Sequence, residues 1–320
     1  MTEAQRKFRL QVILAFGLVY VLWGSTYLAI GIAVEHVSAP MMGASRFLIA
    51  GALMLAWRKV AGNNIAVSGR DLFRLTVIGT LLLCTGNVAL GWAEEMIPTG
   101  LAALLIAITP LWFLLLETFS HKGERIRPRG VAGIGLGICG VVILIWPKLT
   151  SGMSVGHREL LGAVIVLFAS FSWATGSVLS KRWHMPVDPY TASGWEMLMA
   201  GLVNLVVSAL IGDFQHTHWT VSAALAIFYL VVAGSWIGFT AYVWLLKNVP
   251  ISKVATYAYV NPIVAVFLGW LILHERIDGW MIAGSIVIIL GVVLVTGAKA
   301  VPPASSISAL ELPAVESSGD

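Results

Sequence analysis

Apolar residues fall along this chain in ten blocks, roughly 10–34, 40–57, 72–93, 98–120, 129–147, 159–180, 190–211, 221–246, 252–273 and 279–297. Each holds about 20 residues, near what a helix rising 1.5 Å per residue needs to cross about 30 Å of hydrocarbon. A lone strand could not satisfy its own backbone in lipid, whereas a helix can. The pattern therefore predicts an all-α polytopic membrane protein with ten transmembrane helices. The polar connections are short, which suits antiparallel neighbours, and none is long enough for a folded domain.

The blocks also repeat. Trp23 matches Trp173, and Leu48, Ala50 and Gly51 match Leu198, Ala200 and Gly201, all at a spacing of 150. Pro98, Ala103 and Pro110 match Pro250, Ala255 and Pro262 at 152, and Gly133 and Gly140 match Gly284 and Gly291 at 151. Each copy contains five blocks. Five is odd, so the second copy crosses the membrane in the opposite sense to the first. Inverted repeats of this kind put a binding site near the bilayer midplane, where the halves meet, and point to alternating access. The chain divides into residues 1–9, a first five-helix repeat over 10–147, a second, inverted one over 159–297, and a Ser-, Ala- and Pro-rich tail over 298–320 expected to be disordered.

Charge orients the bundle. Of 20 Lys and Arg, sixteen lie on the side of the N-terminus, three on the other, and Arg46 lies within a block. That bias puts both termini in the cytoplasm. It also accounts for the net charge of +4 through topology, without nucleic acid. The first block is too long for a cleaved signal and reads as a retained span. Cys84 and Cys139 read as small packing residues. The seven histidines sit in or beside connections without metal-ligand spacing, and no phosphate-binding glycine loop is present, so no metal, cofactor or enzymatic activity is expected.

Two charges inside blocks occupy matched places, Arg46 and Glu196. An ionisable group at mid-bilayer costs about 2.5–3.5 kcal/mol, so both are read as coupling or gating candidates, against the alternative that each only stabilises its own half. Each lies about 9 Å into a span entered from the opposite side, so a direct ion pair does not follow. Should Glu196 carry a proton, transport would depend on pH between about 5 and 8.

The other polar and aromatic positions within blocks include Trp23, Ser25, Thr26, Tyr27, Asn87, Trp92, Thr109, Trp173, Thr175, Ser177, Ser235, Trp236, Tyr242, Thr256, Tyr257, Tyr259 and Asn261. From these, Trp23, Thr26, Asn87, Thr109, Trp173, Tyr257, Tyr259 and Asn261 are expected to bind a small, mostly apolar or amphipathic solute. Pro110 and Pro262 each leave a carbonyl free deep in a span, which is tolerable only against protein or a wet cavity. Trp57, Trp146, Trp219 and Trp280 read as interface anchors. Glu94, Asp71 and Glu275 read as solvated charges at span ends and in connections.

Trp23-Gly24-Ser25-Thr26-Tyr27, Arg46-Phe47-Leu48, Pro98 with Gly100, Pro110, and Tyr259-Val260-Asn261-Pro262-Ile263-Val264-Ala265 resemble the EamA-type members of the drug/metabolite transporter superfamily. Glu124-Arg125 and Glu275-Arg276, each before a Gly-rich span, are similar to its repeat-closing signature. Glu196-Met197-Leu198 with Ala200-Gly201 is similar to a YedA-like bacterial branch of inner-membrane exporters. The resemblance covers nearly all of 10–297 and implies a central cavity and export of small metabolites, with amino acids, related amphipathic compounds and drugs as typical cargo. It leaves open proton coupling, a facilitative channel-like permease without ion coupling, and the oligomeric state. Trp173-Ala174-Thr175-Gly176 replaces Trp-Gly-Ser-Thr in the second half, so the site is expected to be asymmetric.

Overall fold

The computed structural model describes residues 3–118, 128–150, 156–215 and 217–297, and every regular element among them is helical. The expected tail over 298–320 and the Glu124-Arg125 pair lie outside the described residues. In chain order the helices are α1 (Glu3–Val34), α2 (Ala39–Val60), α3 (Gly69–Glu94), α4 in two pieces (Thr99–Ile106 and Thr109–Thr118) and α5 (Pro128–Thr150). They continue as α6 (Gly156–Arg182), α7 (Pro189–Leu210), α8 (Val221–Asn248), α9 in two pieces (Ile251–Val254 and Tyr257–Ile272) and α10 (Gly279–Gly297). Among the described residues seven helices are long and apolar enough to cross a membrane, and Pro128–Leu144, Val260–Ile272 and Gly279–Gly291 are shorter apolar helices.

The helix ends are set by the same chemistry in both halves. Ser38 caps α2 by accepting from the Met41 amide at 3.3 Å, and Asp188, 150 residues on, caps α7 by accepting from Tyr190 at 3.0 Å and Thr191 at 3.2 Å. A proline follows each cap, at a position whose lost N–H costs the helix nothing. Past the far ends, Gly62 and Gly212 take positive φ values of 78° and 75°, conformations that glycine reaches without steric cost. Ser68 and Thr220 cap α3 and α8 in the same matched way.

Packing has the symmetry of the sequence repeat. α2 lies against α7 and α5 against α10; α1 packs on α8 and α9 while α6 packs on α3 and α4. Adding five to each helix number returns the same set of pairs, so a pseudo-two-fold relates the halves. At the α2–α7 contact a Cβ on Gly51 would stand 2.5 Å from the Leu198 amide nitrogen, and one on Gly201 would stand 2.6 Å from that of Leu48. At α5–α10, a Cβ on Gly140 would lie 2.7 Å from the Ile288 nitrogen and one on Gly291 2.7 Å from that of Gly137. Glycine is required at these positions for the backbones to touch, as in other membrane helix pairs. Polar ties hold the two ends of the α2–α7 pair: Ser38 donates to Asp213 at 2.6 Å, and Arg58 meets Asp188 at 3.2 Å.

The outer surface carries large apolar side chains, among them Leu10, Leu53, Phe168, Phe228 and Ile263, as a lipid-facing bundle requires. Trp57, Trp146, Trp219 and Trp280 are exposed near helix ends. Three expectations need correction. The blocks 98–120 and 252–273 are not continuous helices: α4 breaks at Ala107–Ile108, just ahead of Pro110, and α9 breaks at Ala255–Thr256, while Pro262 sits inside the second piece of α9. At each break a threonine hydroxyl takes up a carbonyl three residues back, Thr109 to Ile106 at 2.5 Å and Thr256 to Lys253 at 2.6 Å. Second, Asp71 is buried in the first turn of α3, bonded by Ser68 at 2.7 Å and near Arg74 at 3.7 Å. Third, Glu275 is a helix cap rather than a solvated charge. His274, at φ 56°, turns the chain so that the Glu275 carboxylate accepts from the Thr99 amide and hydroxyl, both at 2.7 Å, and the Gly100 amide at 3.0 Å. A carboxylate at the first amides of α4 offsets orphan donors and the helix dipole together.

Candidate functional site

A cavity lies where the halves meet, with about 580 Å³ of empty space counted out into its open mouth. The first half contributes Trp23, Thr26 and Tyr27 from α1, Arg46 from α2, Leu83, Gly86, Asn87 and Leu90 from α3, and Ile106 and Thr109 from α4. The second half contributes Trp173 from α6, Gly234 and Phe239 from α8, and Tyr257 and Asn261 from α9.

Two wide-turn segments shape it. α3 winds as a π-helix over Thr80–Val88, and α8 does so over Leu230–Phe239, at matched places in the repeat. Such turns re-aim side chains and recur at functional sites. They also carry the glycines that admit the tryptophans of the opposite half. A Cβ on Gly238 would stand 2.6 Å from Trp23 Nε1, and one on Gly86 would stand 3.1 Å from the Trp173 ring.

One wall is an aromatic cluster. The Trp23 ring stands edge-on to Trp173 at 5.3 Å and to Tyr257 at 5.5 Å, and it lies 4.8 Å from Tyr242. The polar edges of these rings are tied down. Trp23 Nε1 donates to the Gly234 carbonyl at 3.0 Å, Trp173 Nε1 donates to the Tyr242 hydroxyl at 3.1 Å, and Ser177 pairs with that hydroxyl at 2.6 Å. With its amide turned to satisfy its neighbours, Asn261 donates to the carbonyls of Tyr257 at 3.3 Å and Tyr20 at 3.1 Å, linking α9 to α1. Nearby, the hydroxyls of Tyr20 and Thr256 pair at 2.6 Å.

The structure thus brings Trp23, Thr26, Asn87, Thr109, Trp173, Tyr257 and Asn261 to one cavity, with Arg46 among them. The side chain of Tyr259 lies outside the described residues. Pro110 adjoins the cavity through Thr109, and Pro262 through Asn261. Glu196 is placed differently: it is fully buried, is absent from the cavity lining, and neither carboxylate oxygen has a hydrogen-bond partner among the described residues. Arg46 does not meet it. Its Nε donates to Ser235 at 2.8 Å and its Nη1 to the Asn87 carbonyl oxygen at 2.9 Å. Glu94 also departs from the solvated expectation, since both its oxygens are buried and have no hydrogen-bond partner among the described residues.

The apolar lining residues Leu83, Leu90, Ile106 and Phe239 and the glycines Gly86 and Gly234 were not foreseeable from residue type. The matched Gly86 and Gly238 are the signal that could have been used.

Comparison with known proteins agrees with this architecture. The model of the EamA-like transporter family matches twice, over residues 10–146 and 160–297. The uncharacterized inner membrane transporter YedA of Escherichia coli K12 is 37% identical over 293 residues, covering 91% of this chain and 92% of its own. A probable amino-acid metabolite efflux pump of the same organism is 27% identical over 285 residues, covering 86% and 91%. A solved crystal structure superposes with a TM-score of 0.66 at 22% identity, covering 89% of this chain and 97% of its own, which shows the fold.

Proposed function

The chain belongs to the EamA-like transporter family, and we propose that it is a secondary transporter exporting small metabolites across the inner membrane by alternating access. In this reading ten helices span the bilayer as two inverted repeats with both termini cytoplasmic. The cargo is an amino acid or a related amphipathic compound, a class also carried in the name of the relative called a probable amino-acid metabolite efflux pump. The observation that carries the proposal is a cavity assembled from both halves at their pseudo-two-fold interface, lined by aromatic rings and a few polar groups. Rocking of one half on the other would open that cavity to each side in turn. We assign substrate contact to Trp23, Thr26, Asn87, Thr109, Trp173, Tyr257, Tyr259 and Asn261.

Counterflow in proteoliposomes tests it. Vesicles preloaded with an unlabelled amino acid should accumulate the labelled form transiently. A broad panel of amino acids and amphipathic solutes giving no exchange would refute the carrier. A second reading, a facilitative permease without ion coupling, is favoured by the placement of Glu196 off the cavity. If Glu196 couples protons, Glu196→Gln flattens the pH dependence of transport. An unchanged profile removes Glu196 from the coupling role, and transport independent of pH in the unsubstituted protein assigns it to the uncoupled reading.

A further inference from the structure

Arg46 supplies the only charged side chain among the described residues that line the cavity. It is 3% exposed, and its two bonded acceptors, Ser235 and Asn87, are neutral. Among the described residues the salt bridges are Arg58 with Asp188 and Arg74 with Asp71, so no carboxylate balances Arg46. A guanidinium presents five N–H donors in a rigid planar fork, and two bonds leave donors on Nη1 and Nη2 unspent. No side chain stands at Gly234 on the Nη2 side, where a Cβ would lie 2.7 Å away. Asn87 gives its carbonyl oxygen to Arg46, and among the described residues no hydrogen bond engages its amide NH2.

A buried cation with no counter-charge is expensive, and a ligand that brings the missing charge removes that cost. The planar fork matches a carboxylate. A phosphate monoester would bring about −1.5 to −2 charges against a single arginine. Among the described residues no acidic side chain lines the cavity, so no carboxylate balances an ammonium group, and a cationic solute meets repulsion from Arg46. The remaining wall, Trp23, Trp173 and Tyr257, suits an apolar or aromatic body.

We propose that the cavity selects a monoanionic carboxylate on an apolar or aromatic body, with Arg46 and Asn87 holding the carboxylate and an α-amino group dispensable. This rests on the transporter reading and narrows it: organic acids are cargo as well as amino acids, and cationic drugs are disfavoured.

The test uses the full-length protein and four probes that share a phenyl ring: 3-phenylpropionate, phenylalanine, phenylalaninamide and phenethylamine. Binding is followed by the shift in melting temperature, transport by counterflow. The first two should bind at least tenfold more tightly than the last two. Arg46→Gln should bring that ratio close to one, and Arg46→Lys should keep part of it. Equal binding of acid and amide by the unsubstituted protein overturns the proposal, as does a preference unchanged in Arg46→Gln or no binding of any probe. The comparison of acid with amide needs no variant, so it stands even if Arg46→Gln fails to fold. Counterflow of the amine or amide alone sinks the carboxylate site and leaves the carrier standing. Tight binding of the acids with no counterflow of any solute sinks the carrier and leaves the site.

Discussion

Arg46 and Glu196 occupy the same place in the two halves, 150 residues apart, yet their surroundings differ. Arg46 reaches the cavity and spends two of its donors on Ser235 and Asn87. Glu196 is fully buried with both oxygens unpartnered and stays off the cavity. The backbone around them is closely matched, down to Gly51 on Leu198 and Gly201 on Leu48. The repeat therefore governs how helices approach, while the fate of a side chain depends on what the opposite half presents to it. A symmetric scaffold thus carries a one-sided site, with its charge on one half.

The largest effect should come where the halves are alike. Gly51→Val and Gly201→Val each force a side chain into backbone of the partner helix, an overpacking cost of about 3 kcal/mol. Melting in detergent should show equal losses, and a large loss for only one of them would show the α2–α7 contact to be less symmetric than described. Next comes the pair that differs. Arg46→Leu strips donors from Asn87 and Ser235 and should destabilise by about 2 kcal/mol. Glu196→Leu removes an unpartnered buried carboxyl and should leave the melting temperature unchanged or raised. Similar losses in both would mean that Glu196 has partners in the folded protein.

A smaller effect is expected at the cross-half cap. Glu275, from the second half, accepts three bonds at the start of α4 in the first. Glu275→Gln should cost about 1 kcal/mol in thermal stability. No change would make the contact incidental.

The smallest effect separates the matched caps Ser38 and Asp188. Partial burial pushes the Asp188 carboxyl up, but the bond from the Thr191 amide and the Arg58 charge outweigh it and hold the group below its ordinary value. A depressed carboxyl stabilises the fold above the unfolded-chain value of about 3.9 and loses that stabilisation as pH falls below it. The melting temperature should drop on acidification from pH 5 toward 3, and less so in Asp188→Asn. Ser38→Ala should not alter that acid limb, because the serine hydroxyl does not titrate there.

Much of this was legible in the sequence. Hydropathy and the spacing of matched glycines and prolines report on backbone packing, which is what a repeat preserves. The polar residues inside apolar blocks pointed to the cavity because a polar group in lipid needs a partner. The π-turns in α3 and α8 left no trace in hydropathy, since Thr80–Val88 is as apolar as an ordinary helix. Proline is the visible breaker in α9, yet Pro262 sits inside its second piece and the break lies at Ala255–Thr256, where the Thr256 hydroxyl bonds the Lys253 carbonyl. Glu275 looked solvated because its partner, Thr99, is 176 residues away and no local pattern joins them.

The central claim is a cavity shared by two halves that opens to each side in turn. A cysteine at Thr109, in protein lacking Cys84 and Cys139, can be probed with a membrane-impermeant thiol reagent applied to either face of sealed vesicles. The account predicts labelling from both faces, slowed from both by a bound cargo. Labelling from one face alone, with or without cargo, would contradict it.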